Sequence, residues 1–340
     1  MGGTVINQAA WQCAPGHPLR IGVSDLPQPA ANEILIRSAA IAINPIDWIL
    51  QEIALLPWLE YPAILGSDVA GEVAAVGSAV DRFKVGDRVL GQAVGTTVNE
   101  PAQGAFQHHT IVLELLAAPI PDDMAFTDAA VLPLGLGTAA GGLYGRTQLA
   151  LAPPSHAPVA RPEVVLVWGG SSSVGCNAIQ LAVASGYSCV AVASARNAGL
   201  LNTLGAGEVL DHASPTLVDD VVAALRGRRL AGTLHATGSM DDCFAVVARC
   251  DGSRRVAATL TPPESRPAGI EATHISGTSL KDDDVGPMIY RDFLPQALAS
   301  RTFVPAPPAK VVGHGLAMLQ PALEALKAGV SASKVVVTLP

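Results

Sequence analysis

Apolar positions in the first third of the chain come in short runs broken by turn residues. Ile34 to Ile43 and Asp68 to Val76 are rich in Val, Ile, Leu and Ala. Pro27, Pro29, Gly66, Gly71, Gly77 and the step Val85-Gly86-Asp87-Arg88 punctuate them, which predicts strands of a small β-rich unit. Between Val94 and Gln103 the chain turns to Gly, Thr, Asn and Pro, predicting a surface loop that leads into a strand from Ala105 to Leu113. Beyond Met124 the texture changes. Thr127 to Gly145 suits helices with Ala and Gly faces, with Thr127 or Asp128 as N-cap. Ala152 to Pro162 holds Pro153, Pro154, Pro158 and Pro162 and marks a loop with a domain junction close by.

From Val164 onward strand-like and helix-like patterns alternate. Strands are expected at Val164 to Val167, Cys189 to Ala193, Glu208 to Leu210, Thr233 to Ala236 and Arg255 to Leu260. Helices are expected between them, at Val174 to Ser185, Asn197 to Leu204, Pro215 to Leu225 and Asp241 to Cys250. Spacers of this length imply parallel strands joined by right-handed crossovers. The tail offers a helix, Leu316 to Ala328, and a last strand, Ser333 to Leu339. Ile270 to Ile275 is strand-like and suits either pairing across a two-fold axis or a covered edge.

Composition narrows the function classes. With 49% hydrophobic and 15% charged residues over 340 positions, the chain has apolar side chains enough for two cores and too little charge for an extended disordered protein. A net charge of -8 and no long Lys/Arg cluster argue against nucleic acid or anionic lipid as partners. The most apolar stretch, Ala129 to Gly145, is broken by Pro133 and glycines and is shorter than the roughly 20 residues of a spanning helix, so no membrane segment is expected. No basic-then-apolar leader is legible, and Ile6 stands where a myristoylation signal requires Ser or Thr, so the cytoplasm is the expected location. Cys13, Cys176, Cys189, Cys243 and Cys250 have neither a CxxC pair nor metal-like spacing and read as reduced, mostly buried thiols.

The strongest chemical signal is Val164-Val165-Leu166-Val167-Trp168-Gly169-Gly170-Ser171-Ser172-Ser173-Val174-Gly175, an apolar strand running into a Gly/Ser-rich turn and a helix. Gly170, Ser171, Ser172, Ser173 and Val174 can bring backbone N–H groups and the positive end of a helix dipole against a pyrophosphate. Serines replace glycine at 172 and 173, so it is not a strict GxGxxG. Roughly 20 residues further, an NAD site presents a carboxylate to the adenine ribose. Here the second strand ends in Ser194-Ala195-Arg196-Asn197. Ser194, Arg196 and Asn197 can donate to a 2′-phosphate that an acid would repel, which points to NADPH.

Taken with Ala42-Ile43-Asn44-Pro45-Ile46-Asp47-Trp48, Leu65-Gly66-Ser67-Asp68-Val69-Ala70-Gly71-Glu72-Val73, Phe83-Lys84-Val85-Gly86-Asp87-Arg88-Val89, Gly137-Thr138-Ala139 and Ala322-Leu323-Glu324-Ala325-Leu326-Lys327-Ala328-Gly329, the chain resembles the medium-chain dehydrogenase/reductase superfamily. It is most similar to the zinc-free enoyl reductase and quinone oxidoreductase branch, especially the trans-acting enoyl reductases of fungal polyketide pathways. The resemblance implies an α/β fold in which a GroES-like β-rich domain, 1–125 with 287–340, surrounds an inserted Rossmann NADP-binding domain with a doubly wound parallel sheet, 126–286. Zinc-dependent members carry a Cys corresponding to Asn44 and a His-Glu pair corresponding to Ser67-Asp68, and a four-cysteine lobe near 90–105, none of which is present. Asp47 and Asp68 are instead expected to fix loops by accepting backbone N–H groups.

The resemblance further implies that Asn44, Pro45, Asp47 and Thr138 stand beside the nicotinamide, with Asn44, Asp47 and Thr138 as catalytic candidates. Thr237, Thr259 and Leu260 would follow the cofactor along later strand ends, and Val330 and Ser331 would close over it. His212 stands where relatives commonly have a Tyr that lines the adenosine phosphate pocket, and is either a phosphate donor or a loop residue. His108 and His109 are expected to be structural. The implied reaction is NADPH-dependent reduction of a polarised C=C bond in a small-molecule or carrier-bound unsaturated acyl substrate, with a biosynthetic synthase as partner, by a monomer or homodimer. Quinone reduction with the same hydride donor, and a non-redox protein that keeps the fold, are the alternatives.

Overall fold

The computed structural model describes residues 7–340; Ile6, weighed above as part of a lipidation signal, lies outside the described residues. The chain forms two compact units, one built from the residues up to Leu134 together with Pro308–Pro340, the other from Gly135–Pro307.

The first unit holds strands β1 (Asn7–Gln12), β2 (Arg20–Ser24), β3 (Glu33–Ala42), β4 (Ala63–Ile64), β5 (Asp68–Val76), β6 (Arg88–Gln92), β7 (His109–Leu113) and β8 (Ala117–Pro119). β1 is the centre of a three-stranded antiparallel sheet, β2-β1-β4. β3 is the spine of the larger sheet, pairing antiparallel with β5 and with β7. Its alternating residues Ile34, Ile36 and Ala40 are fully buried, as a strand covered by neighbours requires. The expected strand from Ala105 is shorter than predicted and begins at His109, because Ala105 and Phe106 donate their N–H groups to Gly66 and Leu65 instead. Phe106 is thereby sunk into the core beside Leu65. The expected surface loop 94–103 contains two short helical turns, Gly95–Val98 and Pro101–Gln103. Thr127 and Asp128 do not cap; they lie inside the turn Phe126–Ala129, which Ala125 precedes.

The second unit is a six-stranded, wholly parallel sheet of β9 (Val164–Trp168), β10 (Ser188–Ala193), β11 (Glu208–Asp211), β12 (Leu230–His235), β13 (Arg255–Ala258) and β14 (Glu271–His274). The spatial order is β11-β10-β9-β12-β13-β14, which reverses direction between β9 and β12. Helices Ser173–Ala184, Ala198–Thr203, Leu217–Ala224 and Met240–Arg249 make the crossovers. Every residue of β9 is buried, and its apolar run is continuous rather than alternating because both faces are covered. The order is that of a dinucleotide-binding fold, whose ligand crevice lies at the carboxyl ends of the strands where the order reverses.

The loop 152–162 lies inside this unit and not at its edge, and the unit's other limit extends past 286 to 307. Side chains explain the extension. The helical segment ending at Ala299 carries Phe293, which stacks on His156 at 5.2 Å and meets Phe303 edge-on. Gln180 also exchanges two hydrogen bonds with the Val304 backbone. The chain then returns to the first unit as β15 (Ala309–His314), the helix Leu319–Lys327 and β16 (Lys334–Thr338). β16 pairs parallel with β15 and antiparallel with β3.

Candidate active site

In the second unit the nucleotide-type turn is built by two close approaches and a cap. Gly169 has φ +82, and a Cβ there would come within 2.6 Å of the Thr237 side chain. A Cβ on Gly175 would stand 2.3 Å from the Gly169 carbonyl, so only glycine lets the helix start this close to the strand. Ser172 is the N-cap: its Oγ accepts from the Gly175 N–H at 3.0 Å and donates to the Gly169 carbonyl at 2.8 Å. The Ser172 hydroxyl is therefore engaged within the turn, and it shapes the site rather than reaching outward. Ser171, Ser173 and Val174 are half-buried and Gly170 packs over Ala191 and Leu201. The helix Ser173–Ala184 makes its first backbone bond from Cys176 to Ser172, which places the positive end of the helix dipole at the carboxyl end of β9.

Along the same edge β10 is followed by Ser194, whose Oγ lies 2.9 Å from Nε2 of His212 after β11. Arg196 and His212 are exposed and Asn197 is half-buried. The second strand brings no acid, as expected, but the third does. Asp211 accepts from the N–H groups of Ala195 and Ala213 at 3.3 and 3.1 Å, tying the turn 195–197 to β11. Thr237 is exposed after β12, Thr259 donates to the Ala236 carbonyl at 2.7 Å, and Leu260 is 59% exposed beyond β13. All the cofactor candidates of this unit's strand ends thus share the carboxyl edge of the sheet. Thr138, on the helix Pro133–Tyr144, is buried.

In the first unit the register explains a second cluster. Ala42, at the end of β3, opposes Asp68 of β5 on one side and Val336 of β16 on the other. Two residues further along the same face come Asn44 and Lys334, because side chains alternate with period two. Asn44, Asp47, Asp68 and Lys334 are all buried. Lys334 Nζ lies 2.8 Å from Asp68 Oδ2 and donates to Asn44 Oδ1 at 2.5 Å, while Asn44 Nδ2 donates to Asp68 Oδ2 at 2.8 Å. Both carboxylates accept backbone N–H groups: Asp47 takes that of Asn44 at 2.8 Å and Asp68 that of Leu134 at 2.6 Å. Asp47 is the third residue of the helix Pro45–Glu52, so it closes that helix from within, after an exposed Pro45. Burial, with some help from Asp68, pushes the Asp47 carboxyl up to about 7 against the opposing Asn44 N–H and Lys334 charge.

Val330 packs against this unit's core, and the exposed Ser331 accepts from Ser333 through its carbonyl. His109 is joined to Asn7 and His108 to the β1 backbone, and burial lowers the pKa of both rings. Sequence reasoning misses Lys334, which reads there as one lysine ahead of Val335-Val336-Val337.

An alcohol dehydrogenase GroES-like domain matches residues 30–122. The zinc-binding alcohol dehydrogenase domain-containing protein cipB of Emericella nidulans is 40% identical over 342 residues, covering 100% of both chains. The trans-enoyl reductase himH of Aspergillus japonicus is 39% identical over 340 residues, 99% of this chain and 98% of its own. The chain belongs to the medium-chain dehydrogenase/reductase superfamily. Among solved members of this superfamily's fold, the mycobacterial protein Rv1454c complexed with NADPH matches 98% of this chain and 99% of its own at 26% identity and a TM-score of 0.72. Membership makes the protein one of a superfamily of oxidoreductases, and no helix among the described residues is long and apolar enough to cross a membrane. Zinc, carried in the name of cipB, does not fit the residues at the end of β3. An amide, two carboxylates already holding N–H groups and an ammonium seated on Asp68 supply no closed set of thiolate, imidazole or open carboxylate ligands.

Proposed function

We propose that the protein is an NADPH-dependent oxidoreductase that reduces a polarised C=C bond in a small or carrier-bound unsaturated acyl substrate, without zinc. The observation that carries this reading is the ammonium of Lys334 on Asp68. Alcohol oxidation in this superfamily's zinc-dependent members relies on a Lewis acid to stabilise an alkoxide, and the cluster offers a fixed organic cation already paired with its carboxylate. Reduction of a C=C bond conjugated to a carbonyl needs only hydrogen bonds to the enolate oxygen. NADPH, when bound, would supply the hydride to the β carbon.

The residues of this chain have the following roles in that reading. Gly170, Ser171, Ser173 and Val174 hold the pyrophosphate through the backbone, with Ser172 fixing their geometry. Ser194, Arg196, Asn197 and His212 take the 2′-phosphate. Thr237, Thr259 and Leu260 border the cofactor's path, and Pro45, Val330 and Ser331 border its nicotinamide end. Thr138 and Asn44 serve the reacting groups, Asp47 positions Asn44, and the α carbon takes its proton from water. The name of himH supports the reaction class, and the Rv1454c complex supports the coenzyme. The same reading gives the enzyme a cytoplasmic place in secondary-metabolite assembly, as a monomer or homodimer working with a synthase.

The test is a panel of enoyl thioesters and quinones with NADPH, with and without a zinc chelator. NADPH oxidation matched by saturated thioester, unaffected by the chelator, is the expected result. Turnover of quinones alone would replace the reading with quinone reduction, and coenzyme binding with no acceptor reduced would replace it with a non-redox role.

A further inference from the structure

We infer that Lys334 is a positioning residue for the reacting end of the enzyme, holding the Asn44 carboxamide at the start of one helix directly and the start of a second through the Asp68 carboxylate. The inference rests on the functional reading above. Its basis is a chain of contacts that no single segment could make. Lys334 begins the last strand, Asn44 ends β3's extension and Asp68 begins β5, and the register of β3 against both neighbours forces them together. The carboxamide has only one orientation that satisfies both partners. Its oxygen must accept from the ammonium and its Nδ2 must donate to Asp68, so exchanging the two ends would set donor against donor.

From that fixed side chain two helices are set. The Asn44 N–H is held by Asp47, which starts the helix Pro45–Glu52. The other Asp68 oxygen holds the Leu134 N–H in the first turn of Pro133–Tyr144, the helix that carries Thr138. A carboxylate at a helix N-terminus is favourable, but one buried this deeply needs a counter-charge, and Lys334 is the cation in contact with it. Without the ammonium, Asn44 loses the partner that fixes its flip, while Asp68 keeps both of its N–H donors.

The experiment compares Lys334→Met, Lys334→Arg and the double variant Lys334→Met with Asp68→Asn. The double variant removes both charges, so it leaves no unpaired carboxylate to unfold the unit, and the amide oxygen introduced at position 68 can still accept from Leu134. Expected are a fall in kcat of about tenfold or more in the double variant, NADPH Kd within about threefold of the parent, and faster amide exchange in residues 44–52 but not at 169–176. Lys334→Arg should retain most of kcat, because it keeps a cation. A double variant with parental kcat and parental exchange would overturn the inference, and would show that the pair merely balances charge. If the parent enzyme reduces no enoyl thioester, the functional reading fails by itself. Exchange at 44–52 then still decides whether Lys334 positions this loop.

Discussion

The two polar regions of this molecule are made in opposite ways. The crevice edge of the parallel sheet is assembled largely from short stretches of neighbours in sequence, 169–175, 194–197 and 211–212, and its Arg196 and His212 side chains are exposed. The cluster at the end of β3 is assembled from Asn44 with Asp47, Asp68 and Lys334, brought from three separate segments, and is closed to solvent. An exposed rim can wait for a ligand because water satisfies it meanwhile. A closed cluster must satisfy itself, and it does so through five hydrogen-bonding or ionic contacts that engage both carboxylates and both ends of the carboxamide. The first region keeps its charge at the surface, where a ligand can reach it, and the second commits its charge to holding shape.

The largest effect that could break this contrast comes from Asp68→Ala. It strips the ammonium of its carboxylate and leaves the Leu134 N–H without its acceptor, and breaking one side of a buried pair costs about 3–5 kcal/mol. Denaturant unfolding should show a loss of that order. A loss under about 1 kcal/mol would mean that the cluster is as loosely solvated as a surface pair.

Next comes pH. The Asp47 carboxyl is raised from 3.8 to about 7, chiefly by burial. Between those values the folded chain keeps a proton that the unfolded chain has released, so this residue's contribution to stability falls as pH rises from about 4 to about 7 and is flat above. Asp47→Asn has no proton to lose and can still accept from Asn44. Its stability relative to the parent should therefore rise across that window, by an amount on the order of a few kcal/mol. Parallel pH curves for the two proteins would show that Asp47 is solvated.

How much of the molecule is legible in its sequence follows from the same contrast. The alternation of β9 to β13 with helices can be read because strands buried on both faces are continuous apolar runs, and the turn after Trp168 sits where such a run stops. Ser194 and Arg196 are visible because they follow a strand end directly. Lys334 is not, since a lysine beside Val335 is by default a solvated one, and only pairing of β16 with β3 brings it inside. Asp211 escapes for a related reason: the acid near the rim comes from β11, one strand over from the one that spacing points to. The double use of the Ser172 hydroxyl depends on the direction of one rotamer, which spacing does not encode.

The rim itself is sharpened by Arg196→Ala. If the guanidinium meets the 2′-phosphate, calorimetry should show NADPH binding weakened by roughly ten- to a hundredfold, the range that about 1.5–3 kcal/mol represents for a charge-assisted bond. NADH, which lacks that phosphate, should bind the variant and the parent alike. Equal losses for both coenzymes would move Arg196 out of the rim and into the fold.

The smallest expected effect separates shaping from binding inside the crevice region. Ser172→Ala removes the acceptor of the Gly175 N–H and the donor to the Gly169 carbonyl, a lost N-cap that costs about 1 kcal/mol of stability. The turn is further held by glycine contacts too close for any side chain, so it should keep its form, and both coenzymes should weaken equally and by less than about tenfold. Because the hydroxyl is already committed on both sides, it has nothing to offer a phosphate. A selective loss of one coenzyme would show that Ser172 turns outward when the nucleotide arrives. The crevice would then resemble the buried cluster less than its resting hydrogen bonds imply.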